Sequence, residues 1–211
     1  MVTVKELWES GKFLHIKTLK YRDIISFVME NIKRNTFPAY AYFGYNLLNL
    51  VVLSVFVIYS TSSETYVFLD FVKFIIAGAL IGSILVIPVH ELIHGISYKL
   101  IGAPKIHFGA DFRQMIFYVA SDKFVLGRRA FYIVALSPFI LINLITFLLM
   151  LSFSAQLTAG SLSFLLFHNT MCIGDFAMVS FFAGNKNKDL YTYDDHKEKT
   201  SYIFEKITHN P

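Results

Sequence analysis

Charge is what this chain has least of. Asp, Glu, Lys and Arg make up 16% of its 211 residues, against about 25% in an ordinary soluble domain. Cysteine is reduced to one residue, Cys172, which excludes an intrachain disulfide. That residue lies in an apolar stretch, so it carries no message about redox compartment. The first 38 residues hold no short apolar core followed by a small-residue cleavage site, so no cleavable signal peptide is expected. A basic stripe interleaved with aromatics is also missing, and nucleic acid is not an expected partner. The net charge of +4 and pI near 9.0 suit loops resting against anionic lipid headgroups instead.

Apolar residues fill the space that charge leaves. They reach 55%, Phe alone contributes 22, and the mean hydropathy is +0.53. Such a chain reads as an all-α polytopic membrane protein with the lipid bilayer as its partner. Four segments, 39–59, 71–99, 130–151 and 160–183, are long enough to cross about 30 Å of hydrocarbon. They divide the chain into an amino-terminal segment 1–38, a membrane domain 39–183 and a tail 184–211.

The basic residues test that count. Of the 19 Lys and Arg, only Lys73 lies outside three regions: the stretch ending at Arg34, the 99–129 loop and the tail from Lys186. The intervening turns, 60–70 and 152–160, have none. Basic residues favour the cytoplasmic side, which places both termini and the 99–129 loop there. Residues 23–33 carry apolar side chains at helical spacing and predict an amphipathic helix on that surface. Within the loop, 105–110 and 114–120 are rich in aromatic and β-branched residues, which predicts a short β-hairpin.

One motif carries chemistry. His90-Glu91-Leu92-Ile93-His94 closes the nearly unbroken apolar run 74–89. Histidines four apart share one helix face and can chelate one metal ion, and the glutamate between them can act as general base on a zinc-bound water. Random placement of the same His and Glu would produce the pattern in roughly one chain in a hundred. An ionisable residue within a span costs about 2.5–3.5 kcal/mol, and three cluster here. A catalytic zinc takes three protein ligands and keeps a position open. Asp175, a carboxylate in the apolar fourth segment, is the favoured third ligand, and its depth is compatible with that of His94. His168 is its rival. Otherwise His168 and Asn169 would support the ligands or stand near the reacting carbonyl. Pro88 is expected to kink the second span, Gly78 and Gly82 to admit a neighbouring helix, and Gly95 and Gly174 to do the same beside the site.

These pieces resemble a family of small bacterial membrane proteins of the zincin metallopeptidase type, which is similar to site-2-protease intramembrane metalloproteases. The resemblance rests on His90 to Gly95, Ala135-Leu-Ser-Pro-Phe139, His168-Asn169 and Gly174-Asp175. It implies one catalytic Zn2+, His90 and His94 as ligands, Glu91 as catalytic base and Asp175 as third ligand. It also implies a bacterial cell membrane location and a peptide or membrane-protein substrate. No Asn-Pro-Asp-Gly motif and no accessory domain accompany it. The function expected is peptide-bond hydrolysis near the cytoplasmic face. A non-proteolytic zinc-binding module of adaptor or immunity type is the main rival, and ion transport a third reading.

Overall fold

The computed structural model describes residues 2–62, 68–111 and 116–207. Long helices dominate it. Helix α1 (Val4–Glu9) and strand β1 (Phe13–Lys20) come first, followed by a 3-10 turn and α2 (Ile24–Asn31). Helix α3 (Phe37–Ser62) has 26 residues, about 39 Å at 1.5 Å per residue. Helix α4 (Phe68–Leu80) passes through a π turn (Ile81–Leu85) into α5 (Ile87–Leu100). Strands β2 (His107–Asp111), β3 (Ile116–Ala120) and β4 (Leu126–Gly127) precede α6 (Arg128–Met150). Helices α7 (Ala155–Met171) and α8 (Ile173–Gly184) follow, then β5 (Leu190–Asp195) and β6 (Thr200–Lys206).

Three helical stretches are long and apolar enough to cross a membrane, and a fourth if α7 and α8 count as one span bent by 50°. Large apolar side chains such as Leu47, Val51, Val55 and Ile58 face outward along α3, as a lipid-facing helix requires.

Close backbone approach holds the bundle together. A Cβ on Gly78 would come within 2.0 Å of the Gly160 carbonyl oxygen, and one on Gly82 within 2.3 Å of that of Phe164. The paired glycines therefore do admit α7, as expected from their spacing. Beside the site the expectation fails. Gly95 faces the Phe108 ring of β2 rather than a helix, and Gly174 faces open space. Pro88 stands in the first turn of α5, directly after the π turn, where its missing N–H costs nothing.

The all-α expectation holds only for the helical bundle. The two terminal segments, with β4 from the end of the 99–129 loop, form a four-stranded antiparallel sheet in the order β1-β6-β5-β4. Pairing of β1 with β6, from Phe13↔Lys206 to Lys20↔Thr200 with a register shift at Ile16, stitches the amino terminus to the tail. The segment read as a plain tail is thus a folded hairpin. Its Leu190 and Ile203 pack with Phe181 and Phe182 at the end of α8. Arg128 locks the same corner, donating to the carbonyl oxygens of Phe182, Asn185 (2.8 Å) and Lys188 (2.5 Å) at the carboxyl end of α8. A cation there meets the negative end of the helix dipole.

The predicted hairpin is present as β2 and β3, in register from His107↔Ala120 to Asp111↔Ile116. Its turn, which includes Arg113, and the middle of the 60–70 turn lie outside the described residues. Helix α2 fills most of the expected 23–33 segment and buries Phe27 against Phe181 of α8, with ring centroids 5.4 Å apart.

Candidate metal centre

Two of the three candidate ligands come from α5. Its helical spacing sets His90 and His94 one above the other, with their Nε2 atoms 3.1 Å apart. The third comes from the bend between α7 and α8. Because the chain breaks at Cys172, a new helix starts at Ile173 and Asp175 stands in its first turn. Unpaired N–H groups and the positive dipole end favour a carboxylate at that position. Asp175 Oδ2 lies 3.3 Å from His90 Nε2, and Oδ1 lies 3.4 Å from His94 Nε2.

This donor set fits zinc. Tetrahedral ligands at about 2.0–2.1 Å from a zinc ion stand roughly 3.3 Å from one another. The observed separations of 3.1, 3.3 and 3.4 Å match the edges of such a tetrahedron. Two imidazoles and one carboxylate also leave a fourth position free.

Hydrogen bonds on the far side of each ring determine which nitrogen carries the proton. His94 Nδ1 lies 2.9 Å from the Val134 carbonyl oxygen of α6, an acceptor only, so Nδ1 holds the hydrogen and Nε2 keeps its lone pair. That carbonyl is available because Pro138, four residues on, has no N–H to offer it. Ser137 Oγ donates to the same oxygen at 2.9 Å and accepts from Ser97 at 2.7 Å.

His90 is oriented through a longer chain that begins at another α6 carbonyl. Asn143 Nδ2 donates to Phe139 O at 2.7 Å, which sets the orientation of its amide. The same amide donates to Asn169 Oδ1 at 2.7 Å and accepts from Asn169 Nδ2 at 3.1 Å. Asn169 Oδ1 also accepts from His168 Nδ1 at 3.2 Å. His168 Nε2 is then an acceptor, and His90 Nδ1, at 3.1 Å, donates to it. His90 Nε2 keeps its lone pair and faces Asp175. Tyr45 closes the network with a hydroxyl 2.8 Å from Asn143 Oδ1. His168, Asn169 and Asn143 are buried, so each polar atom needs its partner.

The structure thus brings His90, His94 and Asp175 together and puts His168 behind His90. A second group, His90, His168 and Cys172, also has ligand atoms within 4.8 Å of one another, though it would use His90 Nδ1 and disrupt the relay. Asn169 donates to Asn143 Oδ1 and accepts from Asn143 and His168 at its own Oδ1, which ties it into the network behind His90. Glu91 lines a cavity of about 480 Å³ together with His90, His94 and Asp175. No hydrogen bond among the described residues engages its carboxylate. Asn143 and Tyr45 are not marked by the sequence pattern, and Pro138 figures in it only within the 135–139 stretch. Polar or helix-breaking residues inside an apolar span were the available signal.

No curated protein and no solved structure matches the chain. Residues 83–189 match a family model whose description is "Putative zincin peptidase", a description that implies a zinc cofactor. The match runs from the π turn before His90 through Asp175 and α8 to the start of β5, just over half of the sequence, and the chain belongs to that family.

Proposed function

We propose that this protein is a membrane-embedded zinc peptidase of the site-2-protease type that hydrolyses peptide bonds near the cytoplasmic face. The observation that carries this reading is the convergence of His90 Nε2, His94 Nε2 and the Asp175 carboxylate at zinc-ligand spacing beside an unengaged Glu91. His90, His94 and Asp175 are the ligands. Zinc bound there supplies Lewis-acid polarisation of the scissile carbonyl and acidifies a water molecule. Glu91, on the next position of α5 after His90, takes the proton from the attacking water and returns it to the leaving amine. His168 and Asn169 hold His90 in the tautomer that presents Nε2.

Four spans, with α7 and α8 forming one bent span, put both termini and the sheet in the cytoplasm. The distribution of Lys and Arg supports that orientation. Water then reaches the centre from the sheet side, through the cavity that Glu91 lines.

Glu91→Gln is the decisive variant. It should retain zinc and lose peptide cleavage by roughly 10²–10⁴-fold. Cleavage at the wild-type rate by this variant sinks the mechanism. A purely structural metal role, for which the His90, His168 and Cys172 group is the basis, requires a closed ligand sphere. The cavity opening onto His90, Glu91 and Asp175 favours catalysis instead.

A further inference from the structure

The cavity does not stop at the metal ligands. Its sheet-side wall is built by Tyr21, Tyr98, Tyr118, Thr192, Asp194 and Ser201. Tyr98 is one helical turn beyond His94 on α5 and lines the same cavity as both Asp175 and Asp194. Tyr21 and Tyr118 meet edge to face, with ring centroids 4.7 Å apart.

Asp194 is the unexplained member of this wall. It sits opposite Ser201 in the β5–β6 ladder and accepts one hydrogen bond from it, at 2.5 Å. No ion pair among the described residues reaches it. Lys123, whose backbone N–H donates to the Asp194 carbonyl oxygen at 2.8 Å, gives its ammonium to Asp195 at 3.4 Å. Asp122 forms a bridge beside Asp194 and adds charge of the same sign. Burial first, and Asp122 next among the opposing influences, hold the Asp194 carboxyl up at about 6, although the Ser201 hydroxyl pulls it down. At neutral pH it is therefore mostly ionised, poorly solvated and without a counter-charge. Such a group gains most from a cation. Tyr21, Tyr98 and Tyr118 line the same wall and supply aromatic rings that can add attraction for such a ligand.

We propose that this wall is a subsite for a positively charged nitrogen of the substrate peptide, from a Lys or Arg side chain or from a free amino terminus. The inference rests on the peptidase reading of the metal centre and names what the site selects. A peptide whose scissile bond sits beside Glu91 would place a neighbouring cationic residue against Asp194, in the same cavity.

The test uses the full-length protein in detergent micelles with Glu91→Gln to block turnover. Fluorescent decapeptides carry Lys or norleucine at one position, each with a free or an acetylated amino terminus. Binding is read by anisotropy. One charged contact of this kind is worth about tenfold in affinity, so the Lys peptide should bind that much more tightly. Adding Asp194→Asn should abolish most of the difference. If the amino terminus is the ligand, acetylation removes the preference and norleucine does not. Equal binding of all four peptides overturns the proposal, as does a preference that survives Asp194→Asn in a protein with unchanged circular dichroism. Should Asp194→Asn fail to fold, butylammonium and butanol are compared as competitors on the Glu91→Gln protein. Displacement by butanol alone, or by both equally, also overturns it. Cleavage by the wild type is scored separately: charge-dependent binding without cleavage removes the peptidase reading and leaves the subsite, and the reverse result removes only the subsite.

Discussion

Replacing Pro138 with alanine should make the protein more stable and its metal centre worse. Proline inside a helix costs about 3 kcal/mol relative to alanine when nothing compensates. In α6 the missing N–H leaves the Val134 carbonyl to His94 Nδ1 and Ser137 Oγ, both at 2.9 Å. An alanine N–H at 138 would compete for that oxygen from within the helix, where geometry favours it. A net hydrogen bond is worth about 0.5–1.5 kcal/mol, so displacing the His94 ring should weaken zinc binding roughly twofold to tenfold. Apo-protein thermal unfolding in one detergent measures the first effect, and competition with a zinc chelator the second. Ser137→Ala serves as control, because it removes the competing hydroxyl and should leave zinc affinity equal or higher. Zinc binding by Pro138→Ala at wild-type strength would refute the assignment of Val134 as the carbonyl that orients His94, whatever the unfolding temperature did.

Asn143→Leu should cost about 10–100-fold in zinc affinity, because it unravels the relay that orients His90 without touching a ligand; chelator competition reads it. Gly82→Leu cannot be accommodated, since even a Cβ would lie 2.3 Å from the Phe164 carbonyl oxygen, and it should lower the unfolding temperature sharply. The pH dependence of stability should change in Asp194→Asn. The carboxyl is raised from 3.8 to about 6 in the folded protein. Its contribution is therefore most favourable below about pH 4 and is lost as pH rises through 6. At pH 8 the asparagine variant should be more stable than wild type by on the order of 1–3 kcal/mol, and near pH 4 the two should converge. A constant difference between pH 4 and 8 in denaturant titrations would remove Asp194 as the titrating group.

Much of the centre is legible along the chain because helical geometry is local. The spacing of His90 and His94 needs only a helix to put both rings on one face, and the apolar run before them makes that helix secure. Asp175 stood out because a carboxylate in an apolar segment needs a partner. The hairpin at β2 and β3 followed from its aromatic and β-branched content. The sheet is not legible along the chain, for an equally physical reason. Strand β1 pairs with β6 across almost the whole sequence, and such a pairing leaves no local periodicity to read. Residues 13–20 and 200–206 therefore pass for polar tails. Asn143 lies in α6 beside Leu144 and Ile142, and nothing near it in sequence announces that it meets Asn169.

By itself the sequence determined the composition suited to a bilayer, the segments in which basic residues gather, and the histidine pair with its glutamate. These depend on content and on spacings within a single helix. Only the tertiary structure decided how the pair is completed and oriented. The break at Cys172 turns Asp175 toward both histidines from a new helix end. Helix α6, which supplies no ligand, sets both imidazoles through the Val134 and Phe139 carbonyls. A tautomer depends on the atom behind the ring, and that atom comes from another part of the chain.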